Sequence, residues 1–213
     1  MISFFASSIF SRTSLDRLSV VGACTDDWRM PAYRQDLCEL RTNDSGVADS
    51  MILDDGSRWE LLNPLSGLAA DSCYRVYANF LFQEQKVEMK GLKAVVAPFP
   101  AEIDEALMQT DPLEVKAIWK SQRYLNLLVT VRTGGGTHLF AFADGGVESL
   151  PGGLVKQRLI LFHDQAEDPL FYGRDSYLSC PVFALESGLV RGRDSLEIVF
   201  NTFDGWRRKS YLF

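Results

Sequence analysis

Few side chains in this sequence could do chemistry, and they are scattered. The 213 residues include two histidines, His138 and His163. His138 follows Gly134-Gly135-Gly136 and opens an apolar alternation, whereas His163 closes one and precedes Asp164. A Ser-His-Asp hydrolase needs nucleophile, base and orienting acid to converge. The G-x-S-x-G turn that exposes such a nucleophile does not occur in the sequence. His163 is therefore expected at the surface end of a strand, and no catalytic residue is assigned. Thr133-Gly134-Gly135-Gly136-Thr137 is glycine-dense, but a phosphate-cradling loop also needs a lysine and a following helix. This stretch has neither and reads as a hairpin turn.

Carboxylates occur in two groups, Glu102, Asp104 and Glu105, then Asp164, Glu167 and Asp168. Paired carboxylates can cleave glycosidic bonds or bind calcium. The first group falls on the solvated face of a short helical stretch. The second lacks the ligand spacing and central glycine of a calcium loop. No metal or cofactor is assigned. A hydrolase acting on an envelope or dietary polymer through Asp164, Glu167 or Asp168 stands as the alternative reading, and it requires two of them to meet in a cleft.

The cysteines are Cys24, Cys38, Cys73 and Cys180. None is close enough in sequence to another for a zinc ribbon or a dithiol redox site. Cys38 and Cys73 both lie beside strand patterns in the first half. A bridge between them would close a loop of about 35 residues and stabilise by roughly 3–4 kcal/mol; an inert buried thiol at Cys38 is the other reading. Cys180, between Leu178 and Val182, is expected to be buried and unpaired. Val21-Gly22-Ala23-Cys24 has the form of a lipobox, in which small residues precede the acylated thiol. Residues 1–23 would then be a leader and 24–35 a tether. Arg12, Asp16 and Arg17 interrupt the apolar stretch that such a leader carries.

The basic cluster is Arg207-Arg208-Lys209, with Arg191 and Arg193 in the preceding loop. It is a candidate docking patch for a partner, and charges on an edge strand also discourage sheet-to-sheet aggregation. The net charge of −6 makes nucleic acid a poor partner. A cytoplasmic OB-type nucleic-acid binder would need exposed aromatics beside Lys or Arg on a barrel face. No run approaches the eighteen or so apolar residues of a membrane-spanning helix.

The elements that must position these residues are strands. Aromatics make up 12% of the chain, a load that suits pleated surfaces. From Asp36 onward the dominant period is two. Leu37–Thr42 and Val47–Leu53 flank Asn43-Asp44-Ser45-Gly46, a four-residue hairpin loop. Arg58-Trp59-Glu60-Leu61 follows Asp54-Asp55-Gly56. In Tyr74–Phe82 the apolar set is Tyr74, Val76, Ala78, Phe80 and Phe82, and Arg75, Tyr77 and Asn79 share the other face. Lys86–Val96 changes phase at Gly91, the signature of a β-bulge. Residues 36–99 thus read as a five-stranded OB-like barrel. Residues 100–113 form a linker with a helical piece at Ala101–Gln109. Residues 114–213 carry seven strand patterns, with a glycine-rich loop from Gly145 to Gly153 and a type I′ signal at Asp204-Gly205. That half reads as an antiparallel β-sandwich. The fold class is all-β.

This order of segments resembles the NigD-like lipoproteins of Bacteroidetes. The matching stretches are Leu53-Asp54-Asp55-Gly56 leading to Trp59, the Tyr74–Phe82 strand, and Trp119 with Tyr124-Leu125-Asn126-Leu127. The closing Leu196–Phe203 strand, with its Asn201-Thr202-Phe203 end, completes the set. The resemblance spans roughly residues 24–213 and implies an OB-like domain followed by a β-sandwich. It also implies a cell-envelope lipoprotein of the outer membrane, held by lipid at Cys24 and facing either the periplasm or the cell surface. The role expected on that basis is non-enzymatic binding of a protein or glycan partner, without a cofactor.

Overall fold

The structure, a computed structural model, describes residues Tyr33–Phe213. The expected leader at 1–23, Cys24 and the tether up to Ala32 lie outside the described residues. Strands β1 (Tyr33–Thr42), β2 (Ala48–Leu53), β3 (Arg58–Leu65), β4 (Cys73–Gln83) and β5 (Lys86–Ala94) close into a barrel in the order β1-β2-β3-β5-β4. β3 and β5 run parallel and the other neighbours antiparallel. Closure removes the free edges that an open five-stranded sheet would expose.

The phase change at Gly91 is a bulge: Asn79 pairs with Gly91 and Phe80 with Met89, so Lys90 is the extra residue. It lets β5 bend around the barrel while Val87 and Met89 stay in the core with Leu40, Met51 and Phe80. In the β1–β2 turn, Asn43 Oδ1 accepts from the amides of Ser45 and Val47, each at 3.0 Å. Gly46 takes φ 70° there.

β6 (Glu114–Lys120), β7 (Tyr124–Thr133) and β10 (Tyr172–Pro181) form one sheet of the sandwich, in the order β10-β7-β6. β8 (Leu139–Leu150), β9 (Leu154–Asp164), β11 (Ser195–Thr202) and β12 (Gly205–Leu212) form the other, in the order β12-β11-β9-β8. Inward residues of both sheets, among them Leu127, Val129, Phe142, Leu159 and Ile198, make one core.

Four local expectations change. β9 and β11 are parallel, so the second sheet is mixed. β8 continues through Gly145-Gly146, expected in a loop, because a register shift between Asp144 and Val147 absorbs them. At the β11–β12 hairpin, Thr202 pairs with Gly205, Gly205 takes φ 95°, and neither Phe203 nor Asp204 takes a positive φ. That is a type I turn closed by a glycine bulge, not a type I′ turn. Finally, Ala101–Gln109 holds one 3-10 turn, Glu105–Leu107, capped by Asp104 Oδ1 on the Ala106 amide, in place of a helix.

Sheet edges claim that segment instead. Val96 accepts from the Ser179 amide on β10. Ala101 donates to Phe142 and accepts from Asp144 on β8, and Gln109 and Asp111 bracket His163 on β9. Backbone bonds to strand edges outweigh a modest helix propensity. On this side Val96 covers β10 and the linker that follows covers β8. On the other side β6 and β12 remain as edges.

Of the two readings of Cys38, the inert buried thiol agrees with the structure and the Cys38–Cys73 bridge does not: both thiols are free. Across β1–β4 Cys38 pairs with Val76 and points into the barrel core, whereas Cys73 pairs with Arg41 on the outer face. The thiols occupy opposite faces of the sheet, which no disulfide spans without moving backbone. Cys180 is buried in the sandwich core and unpaired, and burial alone pushes its thiol far up.

Candidate functional site

The barrel meets the sandwich through the outer face of β4 and the adjoining ends of β7 and β10. Arg75 is 6% exposed. Its Nη1 pairs with Asp54 Oδ1 at 2.7 Å, Nη2 donates to Asn126 Oδ1 at 3.0 Å, and Nε donates to Ser179 Oγ at 3.2 Å. Its guanidinium also lies 3.9 Å from the Tyr124 ring centroid. Tyr77 stacks on Tyr177 at 4.6 Å. Beside this, Glu39 is buried and accepts from Arg123 Nε at 2.7 Å and from Arg41. Burial opposes its ionisation, but the Arg123 and Arg41 guanidiniums hold its carboxyl below the usual range. These charges are spent on joining the two halves.

The carboxylates proposed for a hydrolase do not converge. Asp164 Oδ1 accepts from the Ala166 amide at 2.8 Å. Glu167 is exposed at a positive φ of 60°. Asp168 turns inward: Oδ2 accepts from Thr133 Oγ1, from the Gly134 amide at 3.0 Å, and lies 3.2 Å from His138 Nε2. The Thr133 hydroxyl and then the Gly134 amide hold its carboxyl down at about 2.

Neither histidine is at the surface, contrary to the expectation for His163, which is 1% exposed. His138 Nδ1 lies 2.8 Å from His163 Nε2, and His163 Nδ1 lies 2.8 Å from the Asp111 carbonyl oxygen. Phe140 stacks on the His163 ring at 4.9 Å. Burial pushes the His163 value down. This chain runs from the β9–β10 loop through His138, just before β8, and His163 on β9 to the linker. No local signal marks it, since its members sit 25 to 52 residues apart.

The five basic residues do not form one patch. Arg191 donates to the Gln122 carbonyl and pairs with Glu186. Arg193 is bound to Asp194 at 3.0 Å. On β12 the alternation divides the rest: Arg207 and Lys209 pair across from inward Phe200 and Ile198, and Arg208 across from Val199 on the outer face. Arg207 and Lys209 thereby line a groove of about 480 Å³ between β6 and the β11–β12 hairpin. Leu113, Val115, Ile118 and Phe200 supply its apolar surface, and Glu114 and Asp204 also stand on its rim. Among the described residues, the one carbonyl capped on that edge of β6 is that of Ile118, by Tyr211 Oη at 2.7 Å and Lys209 Nζ at 3.2 Å. The groove depends on residues 91 and 93 apart in sequence, so only its basic rim was visible there.

No family model matches the chain, and no curated protein matches it. Solved structures do. A NigD-like immunity protein from Bacteroides caccae aligns with a TM-score of 0.69 and 21% identity, over 84% of this chain and 97% of its own. A candidate toxin-related protein from Parabacteroides distasonis aligns at 0.67 and 16% identity, over 85% of this chain and 93% of its own. A candidate lipoprotein from Bacteroides fragilis aligns at 0.56 and 14% identity, over 85% and 97% respectively. Identities at this level speak to the fold. The chain has the fold of the NigD-like immunity protein, a closed barrel joined to a β-sandwich, as the resemblance in its sequence implied.

Proposed function

We propose that this chain is a non-enzymatic binding protein of the cell envelope, anchored by lipid at Cys24 in the outer membrane, that receives a segment of another envelope protein. The observation that carries the reading is the groove between β6 and the β11–β12 hairpin. It combines apolar floor, an uncovered strand edge and the rim bases Arg207 and Lys209. Neither rim base forms an ion pair among the described residues, whereas Arg191 and Arg193 are already taken. An extended peptide could pair with the β6 backbone, seat alternate apolar side chains on the floor and set a carboxylate against the rim. The lipoprotein named among the structural relatives and the lipobox at Cys24 support the compartment.

The test places a photo-cross-linking residue at Ala117 in the groove and, as a control, at Lys93 on the barrel. Cross-linking in a Bacteroides host should yield one adduct at Ala117 that is absent at Lys93 and lost with Arg207→Glu plus Lys209→Glu. The purified partner should then bind the wild type and not the double variant. Equal adducts at both positions would overturn the groove. Palmitate labelling that persists in Cys24→Ala would overturn the anchor.

A second reading rests on Phe203 and Trp206, each more than half exposed beside the groove. Aromatic faces there could stack on a sugar. Glycan-array binding abolished by Trp206→Ala, with no protein adduct, would favour it.

A further inference from the structure

The buried chain Asp168–His138–His163–Asp111 contains three contacts, at 3.2, 2.8 and 2.8 Å. Each contact between a nitrogen and its neighbour needs one hydrogen, so the three need three. The Asp111 carbonyl can only accept, which places one on His163 Nδ1. His163 Nε2 is then an acceptor if that ring is neutral, and His138 Nδ1 must donate to it. His138 Nε2 faces Asp168 Oδ2, which already accepts from Thr133 and Gly134. A carboxylate in that position cannot supply the third hydrogen, so His138 Nε2 must. Two neutral imidazoles carry two hydrogens, one short of the count.

We infer that His138 and His163 together hold one proton beyond neutrality, balanced by the Asp168 carboxylate, and that this proton fastens the Gln165–Phe171 loop to the sandwich. The loop displays Leu170 and Phe171, 51% and 78% exposed, with Tyr172 beside them at 50%. Asp168 is its inward anchor. Removing the shared proton would leave two acceptors face to face at 3.2 Å or at 2.8 Å. Adding a second would set two donors against each other between the rings. One proton is therefore the only occupancy that satisfies every contact.

The charged and titratable groups around the pair fit that count. Asp168 faces His138 directly. The Asp111 carboxylate accepts from the Gln165 amide, and Asp164 stands at the end of β9, both close enough to act on His163. Among the described residues, Arg174 reaches the neighbourhood and donates to the Gly136 carbonyl. The surroundings are net acidic, and Phe140 offers a ring face to the pair.

The test uses the full chain, whose two histidines supply all four imidazole nitrogens in the spectrum. Imidazole ¹⁵N spectra at about pH 7 should show three protonated nitrogens and one bare. Two of each would overturn the inference. Asp168→Asn, whose amide can itself donate to His138 Nε2, should give two and two. Retention of three and one in that variant would overturn the role of Asp168. Thermolysin cleavage within Gln165–Phe171 of the wild type should rise about tenfold per pH unit above the pH at which the third nitrogen becomes bare. Cleavage that ignores that transition would overturn the fastening. The wild-type count stands whether or not the variant folds.

Discussion

Arg75 on the barrel and Asn126 on the sandwich meet at 3.0 Å, guanidinium Nη2 to amide Oδ1, across 51 residues of sequence. Asn126 in turn donates through Nδ2 to Asp54 at 2.9 Å and accepts from Ser179 Oγ at 2.7 Å. Arg75 Nη1 stands 2.7 Å from Asp54 Oδ1 without an aligned hydrogen bond, but the rest of the network pairs the guanidinium, so a charge too costly to bury alone becomes the junction of the two halves.

Arg75→Met should therefore destabilise the protein by about 3–5 kcal/mol, because Asp54 and Asn126 lose the partner that offsets their burial. Urea denaturation followed by tryptophan fluorescence measures it. Asp54→Asn in the same chain should recover part of the loss. A cost below about 1 kcal/mol would mean that packing, led by Tyr77 on Tyr177, holds the junction without the charge.

Gly46 and Gly67 both take positive φ, 70° and 80°, yet alanine should affect them differently. At Gly67 a Cβ would meet nothing within 4 Å, so only the left-handed strain of roughly 1–2 kcal/mol applies. At Gly46 it would stand 2.3 Å from the Leu68 carbonyl oxygen, in a segment tied to the turn by the Leu68 amide donating to the Gly46 carbonyl at 3.2 Å. Gly46→Ala should cost clearly more than Gly67→Ala in the same denaturation assay. Equal costs would mean that the Leu68 carbonyl yields freely.

Thiol reactivity should rank by burial. Burial pushes the Cys38 thiol up to about 12, and Cys180 is raised further by the same cause. Iodoacetamide under native conditions should leave both unmodified. Cys73 is exposed and should react, though slowly at neutral pH, because partial desolvation of its sulfur and the Glu39 carboxylate 3.6 Å away raise its value. Peptide mapping by mass spectrometry reads all three. A Cys38–Cys73 linked peptide would contradict the β1–β4 register.

Acid should loosen the Val190–Asp194 turn. Asp194 is 1% exposed and held down at about 2 by Arg193, then by the Val190 amide at 2.7 Å and the Val155 amide at 3.0 Å. An unfolded aspartate titrates near 3.9. The folded value is the lower one, so this stabilisation is complete above about pH 4 and is lost as pH falls toward about 2. The urea midpoint should drop across that window, and the drop should be shallower in Asp194→Asn. Identical pH profiles in both would remove Asp194 from the acid response.

The barrel was legible because its signals are local. The alternation Val76, Ala78, Phe80 and the slip at Gly91 specify faces and a bulge without reference to the rest of the chain. The seven strands of the second half were readable for the same reason. The junction was not, because Arg75 and Tyr77 look like a polar strand face, and only Asn126, Tyr177 and Ser179 turn that face into an interior. His163 misled in the same way: a polar residue at a strand end reads as solvated until His138 and Asp111 close around it. The missing helix at Ala101–Gln109 has the same origin, since the strands that claim its backbone are β8 and β9.

That covering linker carries a consequence for synthesis. The ribosome makes the chain from its N-terminus, so Val96, Ala101 and Gln109 emerge before β8, β9 and β10. The segment that covers each of those strands is therefore already synthesised when the strand emerges. A nascent sandwich is most exposed to pairing with a neighbouring chain when its edges are bare. Here the order of residues along the message sets the partners of the β8 and β10 edges ahead of those strands in their own chain.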